Sequence, residues 1–182
     1  MPLPAKGSNA SSTTDYEQLS YDAAGNVTSR RLRDAQTIAF TYDNLNRATL
    51  KNLPGSEPDV TYGYDNLGRL LSASQTGNSL SFSYDALSRN LTQAGPQGTV
   101  ASQWDIGGRP TRLTYPGGFF VTYDYDEFGR LWHIRENGAA SGVGVLATFA
   151  YDGRDRPSTI TMGNGVVQAF TYDPISRLAS LT

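Results

Sequence analysis

Cysteine is absent from the 182 residues, so neither a disulfide framework nor a thiolate metal site is available. Histidine occurs once, as His133, and a lone histidine offers no Ser-His-Asp pattern to test. Lysine and glutamate are sparse. No apolar run approaches the roughly 20 residues needed to span a bilayer as a helix, and no G-x-x-x-x-G-K-[ST] phosphate loop occurs. Neither sign of charge predominates. A net charge of −2 and a pI near 5.3 argue against a general nucleic-acid or acidic-membrane binder. Residues 1–15, MPLPAKGSNASSTTD, lack the apolar core of a signal peptide and are rich in Pro, Ser and Thr, which reads as a linker or tail.

What the chain does contain is glycine (19) and tyrosine (11), with frequent threonine, a composition that favours strands and turns over helices. It also repeats itself. Residues 64–70 read YDNLGRL and residues 125–131 read YDEFGRL. A search for the unit finds eight copies: Tyr21-Asp22, Tyr42-Asp43, Tyr64-Asp65, Tyr84-Asp85, Trp104-Asp105, Tyr125-Asp126, Tyr151-Asp152 and Tyr172-Asp173. The steps between them are 21, 22, 20, 20, 21, 26 and 21 residues. Five positions after the aromatic stands Arg47, Arg69, Arg89, Arg109, Arg130, Arg156 or Arg177, with Asn26 in the first copy. Two positions before it lies an apolar or aromatic residue, Ser102 excepted. A motif at fixed intervals is a unit of construction.

Each unit reads as two strands and two turns. Leu80, Phe82 and Tyr84 alternate with Ser79, Ser81 and Ser83, the period of two that marks a strand with one buried face. Gln75-Thr76-Gly77-Asn78 signals a hairpin turn. After the tyrosine, the aspartate can accept a backbone N–H two residues on and start a tight turn. Gly25, Gly68, Gly108 and Gly129 suit a left-handed residue before the next strand. Asn46 and Asp155 tolerate that conformation, and Ser88 and Ser176 fit it less well. Arginine then opens the next strand, where it can bond the turn aspartate or stack on a neighbouring tyrosine. The strand after it departs from clean alternation, since Leu131 and Ile134 are three apart, which calls for a bulge or strong twist. Eight such units give about sixteen antiparallel strands in a meander.

Y-D-x-x-G-R-L at this spacing resembles the YD repeat of the RHS family, which includes bacterial Rhs polymorphic toxins, the B and C components of insecticidal toxin complexes, and the teneurins. The resemblance covers residues 16–182 and is closest in YDAAGNV at 21–27 and YDNLGRL at 64–70. It implies a long β-sheet that spirals into a hollow shell, enclosing a toxic C-terminal domain or forming part of an adhesion ectodomain. Carbohydrate binding by the repeats is a further implication. The core region with an aspartate-dependent self-cleavage site, which in such toxins follows the repeats, has no counterpart after Tyr172-Asp173.

Candidates for chemistry weigh poorly against construction. Asp124, Asp126 and Glu127 cluster, and paired carboxylates hydrolyse glycosides when about 5–9 Å apart. Asp126, however, belongs to a column needed at eight turns. Asp124 with Asp126 is at most a weak calcium pattern. No catalytic, cofactor or metal residue is assigned. Trp104 (in WDIGGRP, with Pro110 suiting a strand start), Trp132 and His133 are the candidate binding residues. The segment Glu136 to Thr148 makes the longest step and reads as an extended hairpin loop, or as a contact loop.

The expectation is therefore an all-β protein with a tail at 1–15 and a YD-repeat domain at 16–182, its sheet curled or spiralling as part of a shell or barrel-like assembly. It needs no cofactor and has no catalysis of its own. It serves as part of an encapsulating shell or scaffold in a secreted or cell-surface system. A carbohydrate-binding module is the alternative, and a glycoside hydrolase is a remote one. Expected partners are further repeats of a longer chain, or self-association through edge strands, because 16–22 and 177–182 are complementary half-repeats. A glycan is a possible partner, and nucleic acid is not. Sixteen strands at about 4.8 Å give a sheet about 77 Å wide. Rolled up it is about 25 Å across before tilt, too narrow to enclose a folded domain of about 100 residues.

Overall fold

A computed structural model describes residues 13–182. Sixteen strands follow one another in a single sheet whose order is the chain order. The chain divides into two compact units, one ending at Ser83 and taking in Ala94–Pro96, the other formed by Tyr84–Gln93 and Gln97–Thr182. The first carries β1 (Gln18–Tyr21), β2 (Val27–Arg31), β3 (Thr37–Tyr42), β4 (Ala48–Asn52), β5 (Val60–Tyr64), β6 (Leu70–Gln75) and nearly all of β7 (Asn78–Tyr84). The second carries β9 (Gly98–Trp104), β10 (Pro110–Thr114), β11 (Phe120–Tyr125), β12 (Leu131–Glu136), β13 (Val145–Tyr151), β14 (Pro157–Met162), β15 (Val167–Tyr172) and β16 (Leu178–Leu181), with β8 (Asn90–Gly95) beginning in it. Within each unit neighbouring strands pair antiparallel. Among the described residues the one helical piece is a 3-10 turn, Gly142–Gly144, and no helix is long and apolar enough to cross a membrane.

The irregular strand after each arginine has a definite cause. Ser20 faces Ser29 and Tyr21 faces Val27, so Thr28 is an extra residue. Thr49, Leu71, Thr111, Trp132, Ser158 and Ala179 are extra in the same way. A bulge shifts the side-chain alternation by one residue. That puts Leu131, opposite Tyr125, and Ile134, opposite Tyr123, on one face despite their spacing of three. Each strand also starts one residue later than expected. The arginine carbonyl closes the turn by accepting the aspartate N–H, as in Asp65 N–H to Arg69 O at 3.0 Å.

All eight Tyr-Asp turns close identically, with a second bond from the fourth loop residue back to the aspartate carbonyl, 2.9–3.1 Å. That fourth residue has positive φ in every copy, including Ser88 (63°) and Ser176 (67°). The two serines, which suit this conformation less well, adopt it nonetheless: their N–H groups are held by the Asp85 and Asp173 carbonyls, and this closure carries the modest left-handed cost. At the opposite ends of the strands, Leu32–Gln36, Tyr115–Phe119 and Met162–Val166 reproduce the same closure, with Ala35, Gly118 and Gly165 at positive φ. This is a three-residue hairpin loop with a left-handed last residue. The hairpin expected at Gln75 is the tighter two-residue form, with Gln75 opposite Asn78.

Little is deeply buried. Val121 and Ala147 are the buried hydrophobics among the described residues, so hydrogen-bonded ladders and rim contacts carry much of the order. Of the expected tail, residues 1–12 lie outside the described residues. Thr14 and Tyr16 offer carbonyls to the Arg31 guanidinium at 3.0 and 2.7 Å, and Asp15 pairs with Arg33 at 2.5 Å.

Candidate functional site

Each Tyr-Asp turn is organised by its aspartate. Asp65 Oδ1 accepts the N–H groups of Leu67 and Arg69, both at 2.9 Å, and its Oδ2 accepts Arg69 Nε–H at 2.6 Å. The same three bonds form at Asp43, Asp85, Asp126, Asp152 and Asp173. Asp105 receives the Arg109 N–H and Nε–H. In the first copy Asn26 replaces the guanidinium, donating Nδ2–H to Asp22 Oδ2 at 2.9 Å and to Asn46 Oδ1 at 2.8 Å.

Donors crowd these carboxylates, and all eight sit below the usual aspartate range. The Arg156 side-chain bond holds Asp152 down to about 2. At Asp65, Asp85 and Asp126 desolvation pulls the carboxyl upward, and the arginine N–H and guanidinium bonds together outweigh it.

The same guanidinium reaches forward to the next repeat. Arg47 lies 4.8 Å from the Tyr64 ring centroid and donates Nη1–H to the Asp65 carbonyl at 3.0 Å. Arg89 lies 5.9 Å from the Trp104 ring and donates to the Asp105 carbonyl at 2.7 Å. Arg109, Arg130 and Arg156 lie over Tyr125, Tyr151 and Tyr172 at 4.5, 4.6 and 4.3 Å. Bonding the turn aspartate and stacking on the neighbouring ring are thus simultaneous, because the two edges of the planar fork serve different partners. Arg130 and Arg156 add bonds to Asp155 Oδ1 (2.5 Å) and Ser176 Oγ (3.1 Å).

The tyrosines reach backward. The hydroxyls of Tyr42, Tyr125, Tyr151 and Tyr172 donate to the carbonyls of Val27, Pro110, Leu131 and Pro157 at 2.8–2.9 Å. Each acceptor is the residue after the previous repeat's Arg or Asn, beside the bulge that interrupts the ladder. Trp104 does the same work with its indole, donating Nε1–H to the Asn90 carbonyl at 2.9 Å. Trp is therefore accepted in a tyrosine column because it presents a donor at similar reach. Trp104→Tyr should leave the melting temperature within about 2 °C of the parent. Trp104→Phe keeps a ring but removes the donor, and should cost about 1 kcal/mol, read by urea denaturation.

Trp132 and His133 are brought together, with ring centroids 3.9 Å apart. Trp132 is the extra residue of its bulge and is 48 % exposed. His133 faces Asp124 across the β11–β12 pair, and its Nδ1 is 3.4 Å from Arg135 Nη2. Arg135 Nε binds Asp124 Oδ2. The loop of the longest step packs closely. Ala139 N–H bonds Glu136 O, Asn137 exchanges bonds with Phe120, and Gly144 is buried. Among the described residues no group of three or more His, Cys, Asp or Glu is placed to hold a metal ion.

Aligned copies contain one further column. Three residues after the aromatic stand Leu45, Leu67, Leu87, Phe128 and Ile175, between 68 and 73 % exposed. Their N–H groups are tied to the turn aspartates while their side chains project from the loops. Lining up the third position of each Tyr-Asp turn makes this column visible in the sequence.

Comparison with known proteins gives a consistent picture. The family model "Teneurin YD-shell" matches residues 6–141. A curated relative, double-stranded DNA deaminase toxin A of Burkholderia cenocepacia (strain H111), is 30 % identical over 169 residues, which span 78 % of this chain and 11 % of that protein. Among solved structures, TcdB2-TccC3-TEV superposes with a TM-score of 0.69 at 14 % identity over 96 % of this chain and 11 % of that one. A Photorhabdus luminescens Tc holotoxin pore gives 0.54 at 12 % identity over 91 % and 12 %. The chain therefore spans about a tenth of the length of the proteins it matches.

Proposed function

The chain belongs to the teneurin YD-shell family, and from that premise we propose that it is a non-catalytic segment of an encapsulating β-shell in a secreted or cell-surface toxin or adhesion system. Further repeats of the same kind are its partners. The observation that carries this reading is how fully the repeated side chains are occupied. In seven of the eight turns both carboxylate oxygens of the aspartate accept bonds from a neighbouring main chain and guanidinium. A carboxylate engaged in this way, and ionised well below neutrality, has no proton to give as a general acid, and its donors hold both oxygens in the turn rather than leaving them to act as a general base. Its work is to hold hairpins in register. Toxin activity named for the deaminase relative would then belong to another part of a longer protein.

Protease protection of the full-length protein tests this. A segment enclosed by the repeats should resist digestion while the shell is folded, and become sensitive at the denaturant concentration that unfolds the repeats. Digestion at the same rate as the isolated segment would refute enclosure. Asp126→Asn should lower the melting temperature, and loss of a catalytic activity at unchanged melting would refute the structural assignment of the column.

A further inference from the structure

We propose that His133 is an acid-sensitive latch on the loop between β12 and β13, releasing residues 139–144 when its imidazole is protonated. One restraint on the loop is the side chain of Arg135. Arg135 Nη1 donates to the carbonyls of Ala139 (3.1 Å) and Ala140 (3.3 Å), while its Nε is fixed on Asp124. The guanidinium is thereby a strap between β11 and the loop. His133 sits beside that strap, its Nδ1 3.4 Å from Arg135 Nη2. A neutral imidazole can accept the guanidinium N–H there. Protonation converts Nδ1 into a donor, so that two donors of like charge face each other across that gap.

Every element packed against the imidazole bears on the outcome. On its own strand stand Trp132, its ring tilted against the imidazole, and Arg135. From β11 comes Asp124, directly opposite. From β13 comes Thr148, uncharged. Asp124 is the single anion among these, and Arg135 already occupies it. A protonated His133 both repels the guanidinium and competes for its carboxylate, and the bonds to Ala139 and Ala140 depend on the guanidinium staying in place. Desolvation, with Arg135 adding to it against a smaller opposing pull from Asp124, holds the imidazole below its ordinary value. The folded state therefore disfavours the cation. The latch is closed above the ordinary histidine value of 6.5 and is weakened progressively as pH falls below it. Gly144 is buried against Ala139 and Glu136, so release of 139–140 loosens that side of the 3-10 turn that follows, while its other side stays seated against Gly163.

Hydrogen exchange of the intact chain at pH 7.5 and 5.0, corrected for intrinsic rates, reads the latch directly. Amides of residues 139–144 should exchange at least about threefold faster at the lower pH, while those of β14 stay unchanged. In His133→Gln, which keeps a hydrogen-bonding amide without a titrating ring, the loop should be insensitive to pH. Equal protection of the loop at both pH values in the parent, or an equal loss in His133→Gln, would overturn the proposal. Should the variant not fold, a titration of the parent by NMR decides. The Arg135 Nε resonance must move with the His133 midpoint, and an Arg135 signal that follows only a carboxylate titration refutes the latch.

Discussion

Gly163→Ala should be among the most damaging single methyl groups at the described glycines. Gly163 follows β14, and its N–H bonds the Leu146 carbonyl at 3.0 Å. A Cβ built there would lie 2.6 Å from the carbonyl oxygens of both Val143 and Val145. These are main-chain atoms of the loop and of β13, so no side-chain rotation relieves the clash. Either the β14–β15 turn or the 3-10 turn must move. Overpacking of this kind costs about 1–3 kcal/mol, which for a chain of this length corresponds to a melting temperature lower by about 3–10 °C. Gly153→Ala is the matched control. Nothing lies within 4 Å of its added carbon, and its φ is not positive, so stability should hold or rise slightly. A Gly163→Ala variant that melts with the parent would mean that the loop is not seated against this turn. The pair also separates steric seating from the latch, because neither substitution alters a titrating group.

Acid should unfold the repeats more steeply than any other change of condition. All eight turn aspartates are held below their ordinary value of 3.8, Asp152 to about 2. The sign follows from proton counting. Below 3.8 the unfolded chain takes up protons that the folded chain still refuses, so stability declines as pH falls toward the folded values. The contribution is complete above the ordinary carboxylate range. Urea midpoints should be nearly level from pH 7 to 5 apart from the smaller histidine effect, then drop sharply between about pH 4 and 2, with net proton uptake on unfolding in that range. Asp152→Asn should reduce that uptake by about one. A midpoint that is the same at pH 5 and pH 2.5 would show that the carboxylate bonds contribute nothing to folding.

The loop after β12 shows where reading by composition falters. Glycine and alanine in ENGAASGVGVLAT signal an extended hairpin, and nothing local says that the Arg135 guanidinium straps it or that Gly163 receives it. Arg135 is outside the repeat column and Gly163 is nineteen residues past Gly144, so their roles arise from neighbouring hairpins. The three Tyr-Asp-like closures on the opposite rim leave no mark in the sequence for a different reason. Leu32, Tyr115 and Met162 share no side chain, and the loop is specified by main-chain bonds and one left-handed residue.

The sequence by itself determined the all-β class, the repeat, the eight turns and the meander of sixteen strands. Those features rest on interactions between residues a few positions apart, where alternation, turn chemistry and a recurring Tyr-Asp-Arg spacing leave a direct mark. A spacing of three where two was due also called for a bulge or a strong twist, and the strand register shows that it is a bulge. Only the tertiary structure decided which partners the columns take. Tyr151 bonds Leu131 twenty residues back, Arg156 reaches Ser176 twenty residues ahead, and Trp104 replaces a tyrosine because its N–H finds the Asn90 carbonyl. Each of these depends on the lateral offset between adjacent hairpins. That offset is set by strand register and by bulges, and only the assembled sheet supplies it.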